Sequence, residues 1–335
     1  MVDSAAVTAA EGPFWDELCV GQTFATAPAL TLTEGLAAAH QAITGDRLAL
    51  SLDHQLCLEV TGGGPLAPPS LVWDVAIGQS TVVTRNVRAN LFYRALAFRR
   101  APVLGDTLRT CTEVVGLRQN RPRPGRVPTG LAALRVTTTD QKGRPVLDFW
   151  RCAMLPLRDE RVRTSHDDDL DRIGQDAPPP DFAAALAGWR LDRLASHSPG
   201  PRPADLRPGQ RFEVSGGDLV SSAPELARLT LNVAAVHHDA QAGGGQRLVY
   251  GGHAIGLALS QAARALPSLV TVAGWHDCDH LGPVREGDTL RSGIWVESIE
   301  QLADGAALVH LRSLVRADGQ PDHDVLDWRY VAVVA

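Results

Sequence analysis

Three short segments of this chain occur twice, in the same order, and that duplication restricts the fold more than any other feature of the sequence. Val20-Gly21-Gln22-Thr23-Phe24 is echoed by Pro208-Gly209-Gln210-Arg211-Phe212. Gly105-Asp106-Thr107-Leu108-Arg109 recurs unchanged as Gly287-Asp288-Thr289-Leu290-Arg291, each copy preceded by a Pro-Val pair. Val146-Leu147-Asp148-Phe149-Trp150-Arg151 is matched by Val325-Leu326-Asp327-Trp328-Arg329. The spacing between copies drifts slowly in one direction, from about 188 to about 179 residues, as loops of unequal length would make it. The chain therefore reads as two copies of one α+β unit, over 12–157 and 208–335. The intervening 158–207 carries Asp167-Asp168-Asp169 and Pro178-Pro179-Pro180, the composition of a solvated linker. One short amphipathic helix is expected inside it, capped by Asp181, with Ala185, Leu186, Trp189 and Leu194 on one face and Trp189 docked onto a domain.

Each copy has the same order of elements. A short strand (22–31 and 210–216) leads to a helix (34–43 and 223–236). An irregular Gly/Pro-rich loop precedes a second, more apolar helix, over 69–83 after Pro68 and over 252–266 after Gly251. Long strands follow, over 88–100, 106–119 and a hairpin within 130–156, then 269–281, 288–300 and a hairpin within 305–334. The two hairpins are expected to turn near Lys142-Gly143 and near Asp318-Gly319. Strands gathered after one apolar helix predict an antiparallel sheet wrapped around that helix. Ala254 to Ala265 is apolar nearly all round, as a buried helix requires.

Net charge is −6, which argues against a nucleic-acid partner. The five cysteines are scattered and never spaced as C-x-x-C, so they read as buried hydrophobes in a reducing compartment. Met1 to Glu11 has no Lys or Arg and no sustained apolar run, and no apolar stretch reaches eighteen residues. A cytoplasmic protein without a membrane partner is expected.

Pro-Val followed by Gly-Asp-Thr-Leu in each half (after one residue in the first, two in the second), a helix opened by a glycine pair and a pre-helix segment ending in His-x-Asp together resemble the MaoC-like (R)-specific enoyl-CoA hydratase family in its double-hotdog form. The resemblance spans most of the chain outside the linker. It implies an α+β double hotdog fold, and a hydratase or dehydratase acting on a CoA or carrier-protein thioester. The family motif is Gly-Asp-x-Asn-Pro-x-His-x-Asp, whose first Asp and His activate water. In the second copy His237 and Asp239 match, while Asn232, Ala234 and Ala235 stand at the Asp, Asn and Pro positions. In the first copy Gly45, Asp46 and Asp53 match, and Leu48, Ala49 and Ser51 replace Asn, Pro and His.

The residues also make a case of their own. Hydration of an unsaturated thioester needs a proton carrier near neutral pH, which imidazole supplies, so His237 is the candidate acid/base. Asn232 cannot accept a proton but can hold a water, and Asp239 can orient an imidazole. The backbone N–H groups of Gly251, Gly252 and His253, opening a helix, are candidates to polarise the thioester oxygen. His253, placed where a cation opposes the helix dipole, is expected to be neutral and either ligand-facing or exposed. The alternative for each is a cap, a turn or loop packing. His276, Cys278 and His280 alternate along a strand and would share a face, but no fourth ligand suggests itself, so no metal and no cofactor are expected. The basic stretch Arg118 to Arg126 reads as an exposed hairpin loop that can touch phosphates.

The working site is expected in the second copy, with the first degenerate or holding the acyl chain. A hotdog thioesterase, with Asn232 or Asp239 positioning water, and a non-catalytic acyl-CoA binder are the competing readings. Exposed sheet edges offer a route to a homodimer.

Overall fold

A computed structural model describes residues 11–175, 180–197, 200–302, 305–318 and 323–335. The N-terminal segment before Glu11, Pro178 and Pro179 of the linker, and Gly319 of the last hairpin lie outside the described residues. The first half runs β1 (Thr23–Phe24), β2 (Leu30–Thr31), α1 (Glu34–Thr44), α2 (Ala49–Leu52), α3 (His54–Thr61), α4 (Pro69–Gln79), β3 (Ala89–Phe98), β4 (Thr107–Gln119), β5 (Thr129–Thr139) and β6 (Pro145–Pro156). The second half repeats it as β7 (Arg211–Glu213), β8 (Asp218–Leu219), α5 (Ala223–Leu229), α6 (Gly251–Ala265), β9 (Leu269–His280), β10 (Thr289–Gln301), β11 (Ala307–Ala317) and β12 (Asp324–Val334).

The strands form one antiparallel sheet in the order β1-β4-β5-β6-β3-β9-β12-β11-β10-β7, with β2 on β4 and β8 on β10. The halves join at β3 and β9, where Tyr93 lies opposite Cys278 and Ala97 opposite Gly274. This is the double hotdog. The apolar character of α4 is explained by its position: all eleven of its residues are buried between the sheet and α6. Trp73 on α4 packs edge-on against Trp275 and Trp328 of the second half, at ring separations of 4.9 and 6.1 Å.

The repeated Gly-Asp motif is a turn with a built-in acceptor. Gly105 and Gly287 adopt φ of 97° and 95°, which the missing Cβ permits. Asp106 then accepts from the Val103 amide at 3.0 Å, and Asp288 from the Arg285 amide at 2.8 Å.

Three expectations need correction. The linker contains no amphipathic α-helix among its described residues; short 3-10 turns at Ala184–Leu186 and Leu191–Ser196 take its place. Gly188 between them, at φ 83°, turns the chain. The linker is also less solvated than its composition suggests. Phe182, Leu186, Leu191 and Leu194 are buried on the outer face of the second-half strands, with Trp189 packed beside them. The helix expected over 223–236 ends at Leu229, and a 3-10 turn at Ala235–His237 follows.

Candidate active site

A cavity of about 510 Å³ opens between the two halves. The second half contributes the loop from Asn232 to Gly244, the start of α6 and the end of β9. The first half contributes Ile77 at the end of α4, Thr81 and Thr84 after it, Ala89, Asn90 and Tyr93 on β3, and Arg151 on β6.

His237 lines this cavity. Its Nδ1 lies 2.8 Å from the Leu248 carbonyl oxygen, a contact that requires the proton on Nδ1 and leaves Nε2 as a free lone pair. Burial pushes the imidazole down to about 4, a direction that nearby His238 and Arg151 reinforce. The ring is therefore neutral across the physiological range, with a lone pair on Nε2 open to a proton but less basic than that of a solvated imidazole. Asn232 is buried in the same wall. Its Oδ1 accepts from the Ala234 amide at 3.0 Å, and its Nδ2 has no protein partner. Asn232 thus presents a donor to the cavity.

The glycine-led helix start needs a finer reading. Gly251 lines the cavity; Gly252 and His253 do not. A Cβ on Gly252 would sit 1.9 Å from the Asp74 carboxylate oxygen, so this glycine exists to let α4 approach α6 rather than to admit a ligand. The His253 amide donates to the Tyr250 carbonyl at 2.9 Å. Its side chain is fully buried, with neither ring nitrogen partnered. The expectation that His253 is ligand-facing or exposed is overturned, although burial does hold it neutral, at about 4. Asp239 is exposed and accepts from the Gln241 amide at 2.9 Å; it closes a turn and does not orient His237. The Arg118–Arg126 stretch is absent from the lining, where Arg88 and Arg285 supply the peripheral positive charge instead.

The placement of His253 gives a stability prediction. Its pKa in the folded chain lies below the ordinary value of 6.5, so the unfolded chain binds the proton first as pH falls. The residue therefore removes stability progressively from pH 6.5 down to about 4. His253→Leu is expected to raise stability more at pH 5 than at pH 8, by about 2 kcal/mol, in urea titrations at the two pH values. An equal gain at both would mean the imidazole is not held neutral by burial.

Several site residues escaped the sequence reading. His280 faces the cavity with Nε2 unpartnered, packed 5.7 Å from the Tyr93 ring. It does not share a face with His276. A β-bulge beside His276, where β12 shifts from Arg329 opposite Asp277 to Tyr330 opposite Trp275, interrupts the alternation. His276 stacks on His310 and meets Phe182 of the linker, while Cys278 enters the core. Among the described residues no group of three His, Cys, Asp or Glu is placed to hold a metal ion. A buried polar pair also gives no signal in the sequence: His40 Nε2 and Asp74 Oδ2 lie 2.9 Å apart, both fully buried. Burial pushes the Asp74 carboxyl up.

The matching region of the first copy has closed. Ser51, Pro69 and Phe98 stand where the second copy has His237, Gly251 and His280, and the space around them has shrunk to about 20 Å³. Leu186 and Trp189 of the linker plug it. Asp46, which matches the family motif, is buried; it accepts from the Leu48 amide and the Ser70 hydroxyl, both at 2.9 Å. It serves the start of α4 and lines neither of these two cavities.

No protein-family model matches the chain. A conserved hypothetical protein of Mycobacterium tuberculosis, described as having a double hotdog fold, is 55% identical. It aligns over 96% of this chain and 98% of its own, with a TM-score of 0.90. The β-methylmalyl-CoA dehydratase of Chloroflexus aurantiacus is 29% identical over 93% of this chain and 90% of that protein. The mesaconyl-CoA hydratase of Cereibacter sphaeroides is 27% identical over 92% and 90%.

Proposed function

From the premise that the chain belongs to the MaoC-like double-hotdog family, we propose that it is a hydro-lyase adding water to, or removing it from, a CoA thioester. The observation that carries this reading is that His237, with Nδ1 tied to the Leu248 carbonyl, and Gly251 at the start of α6 line the same cavity. A water held by Asn232 Nδ2 would donate its proton to His237 as its oxygen bonds to the β-carbon of the enoyl thioester. The negative charge then reaches the thioester oxygen, which the Gly251 amide and the α6 dipole stabilise. The imidazolium returns the proton to the α-carbon, and the C–C double bond is consumed. Dehydration is the same path reversed. Arg88 and Arg285 at the rim suit the phosphates of CoA. Hydrolysis of the thioester is less well served, because Asp239 faces solvent and Asn232 offers a donor.

The test is the disappearance of the conjugated-enone absorbance of enoyl-CoA substrates, including crotonyl-CoA, without release of free thiol. The depressed histidine adds a pH signature. The neutral ring is the active form, so kcat/KM should be level from pH 8 to about 5 and fall below that, with a midpoint near 4. A midpoint near 6.5 would place the proton-accepting imidazole in an open, solvated setting instead.

A further inference from the structure

Arg151 is a charged side chain sunk into the cavity wall without a counter-charge. It is 3% exposed and lines the cavity. One guanidinium nitrogen donates to the Thr84 hydroxyl, while Nε has no protein partner. It is hydrogen-bonded with the Tyr93 side chain and lies near Tyr250 and Cys152; burial pulls its pKa down, and no described carboxylate forms an ion pair with it. The described lining of the cavity contains no Asp or Glu at all. An unpaired buried cation costs several kcal/mol, roughly, unless something offsets it. Asn232 Nδ2 and His280 Nε2 are further unpartnered polar atoms in the same walls. The described lining offers the guanidinium no anionic partner.

The two copies differ sharply at this position. In the first half Arg151 lies opposite Tyr93 across β3 and β6. The equivalent cross-strand pair in the second half is Tyr330 opposite Trp275. Tyr330 is buried and stacks on Trp328 at 3.7 Å. Arg329, which matches Arg151 only if one residue of the repeat is skipped, occupies the place of Trp150 and turns outward to Glu297 at 3.3 Å. The guanidinium is thus buried only beside the half of the molecule where a cavity is open.

Gly251 accounts for the thioester oxygen, and Arg88 and Arg285 for the carrier phosphates. Arg151 is left over, deep in the wall, with a planar fork that fits two oxygens at once. We propose that Arg151 binds a carboxylate on the acyl group, so that the substrate is the thioester of an unsaturated or hydroxylated dicarboxylic acid rather than of a simple fatty acid. This rests on the hydro-lyase reading for its chemistry, but the carboxylate site can be tested without it.

Fumaryl-CoA and crotonyl-CoA differ only in a carboxylate against a methyl group. The wild-type enzyme should hydrate fumaryl-CoA with a kcat/KM about a hundredfold higher. Arg151→Met, which keeps length and loses charge, should bring the two values within about threefold of each other, and Arg151→Lys should recover part of the preference. Equal or better use of crotonyl-CoA by the wild type overturns the inference while leaving the hydro-lyase reading intact. If neither thioester reacts, calorimetry with succinyl-CoA and butyryl-CoA decides. Succinyl-CoA binding about tenfold tighter or more, lost in Arg151→Met, upholds the carboxylate site even as the reaction class falls; equal binding overturns it. Should Arg151→Met fail to fold, the wild-type preference alone decides between the two outcomes.

Discussion

His237→Ala is expected to lower kcat/KM by about a thousandfold while leaving the fold intact. No other described group in the cavity duplicates its role. The lining has no carboxylate, Asn232 cannot take a proton, and Tyr93 and Tyr250 are pushed above the ordinary phenol range by burial. His280 shares the cavity and is likewise depressed to about 4, but its Nε2 is set against Gly251 at the start of α6, in a space that only a residue without a Cβ leaves open. Little stability should be lost, since His237 makes one hydrogen bond and one tilted contact with Tyr250 at 5.7 Å. The measurement is steady-state kinetics alongside thermal melting. A variant that melts normally and keeps its rate would remove His237 from the chemistry.

Gly78→Ala should cost about 3 kcal/mol or more and abolish activity in whatever protein still folds. Gly78 lies near the end of α4, where that helix crosses the second half. A Cβ there would sit 1.9 Å from the Thr230 carbonyl oxygen, 2.8 Å from its carbon and 3.2 Å from the Asn232 amide nitrogen. All three are backbone atoms, so no rotamer change relieves the clash. The displaced segment carries Asn232 into the cavity wall, which couples packing to rate. Gly35→Ala is the control. It sits in α1 with nothing nearer than the Thr33 hydroxyl at 4.0 Å, and should be neutral or stabilising by up to about 1 kcal/mol. Denaturant titration of both variants separates a steric origin from a general intolerance of alanine.

The sequence carried the duplicated architecture because its repeats fall where the backbone has no freedom. The Gly-Asp turns need a positive φ and an acceptor at one spacing, and both copies keep them. The central helices are legible as uniformly apolar stretches. The site is legible only in part, and only from the second copy. His237 and Gly251 stand out because imidazole and a glycine-led helix have chemical meanings of their own. Arg151 does not. The repeat invites a pairing with Arg329, but that match skips a residue: counted without a gap from Val146 and Val325, Arg329 falls on Trp150 and Arg151 on Tyr330. Both strands alternate in step, with Phe149 and Trp328 buried, Trp150 and Arg329 half-buried, and Arg151 and Tyr330 buried. His253 misleads because a helix start says nothing about which way its first side chains face. Gly252 looks in sequence like a residue that admits a ligand, whereas the neighbour pressing on it is Asp74.

One cavity with a wall from each copy also divides labour along the seam. The proton carrier and the helix start belong to the C-terminal copy; Thr84, Tyr93 and Arg151 belong to the other. The copy that lost its own pocket is therefore not free to drift. Variation in its β3 and β6 would register as a change in which molecules are accepted, and variation in the loop before α6 as a change in how fast they are converted. On the roles proposed above, selection of the substrate and its turnover are set by different copies of the repeated unit.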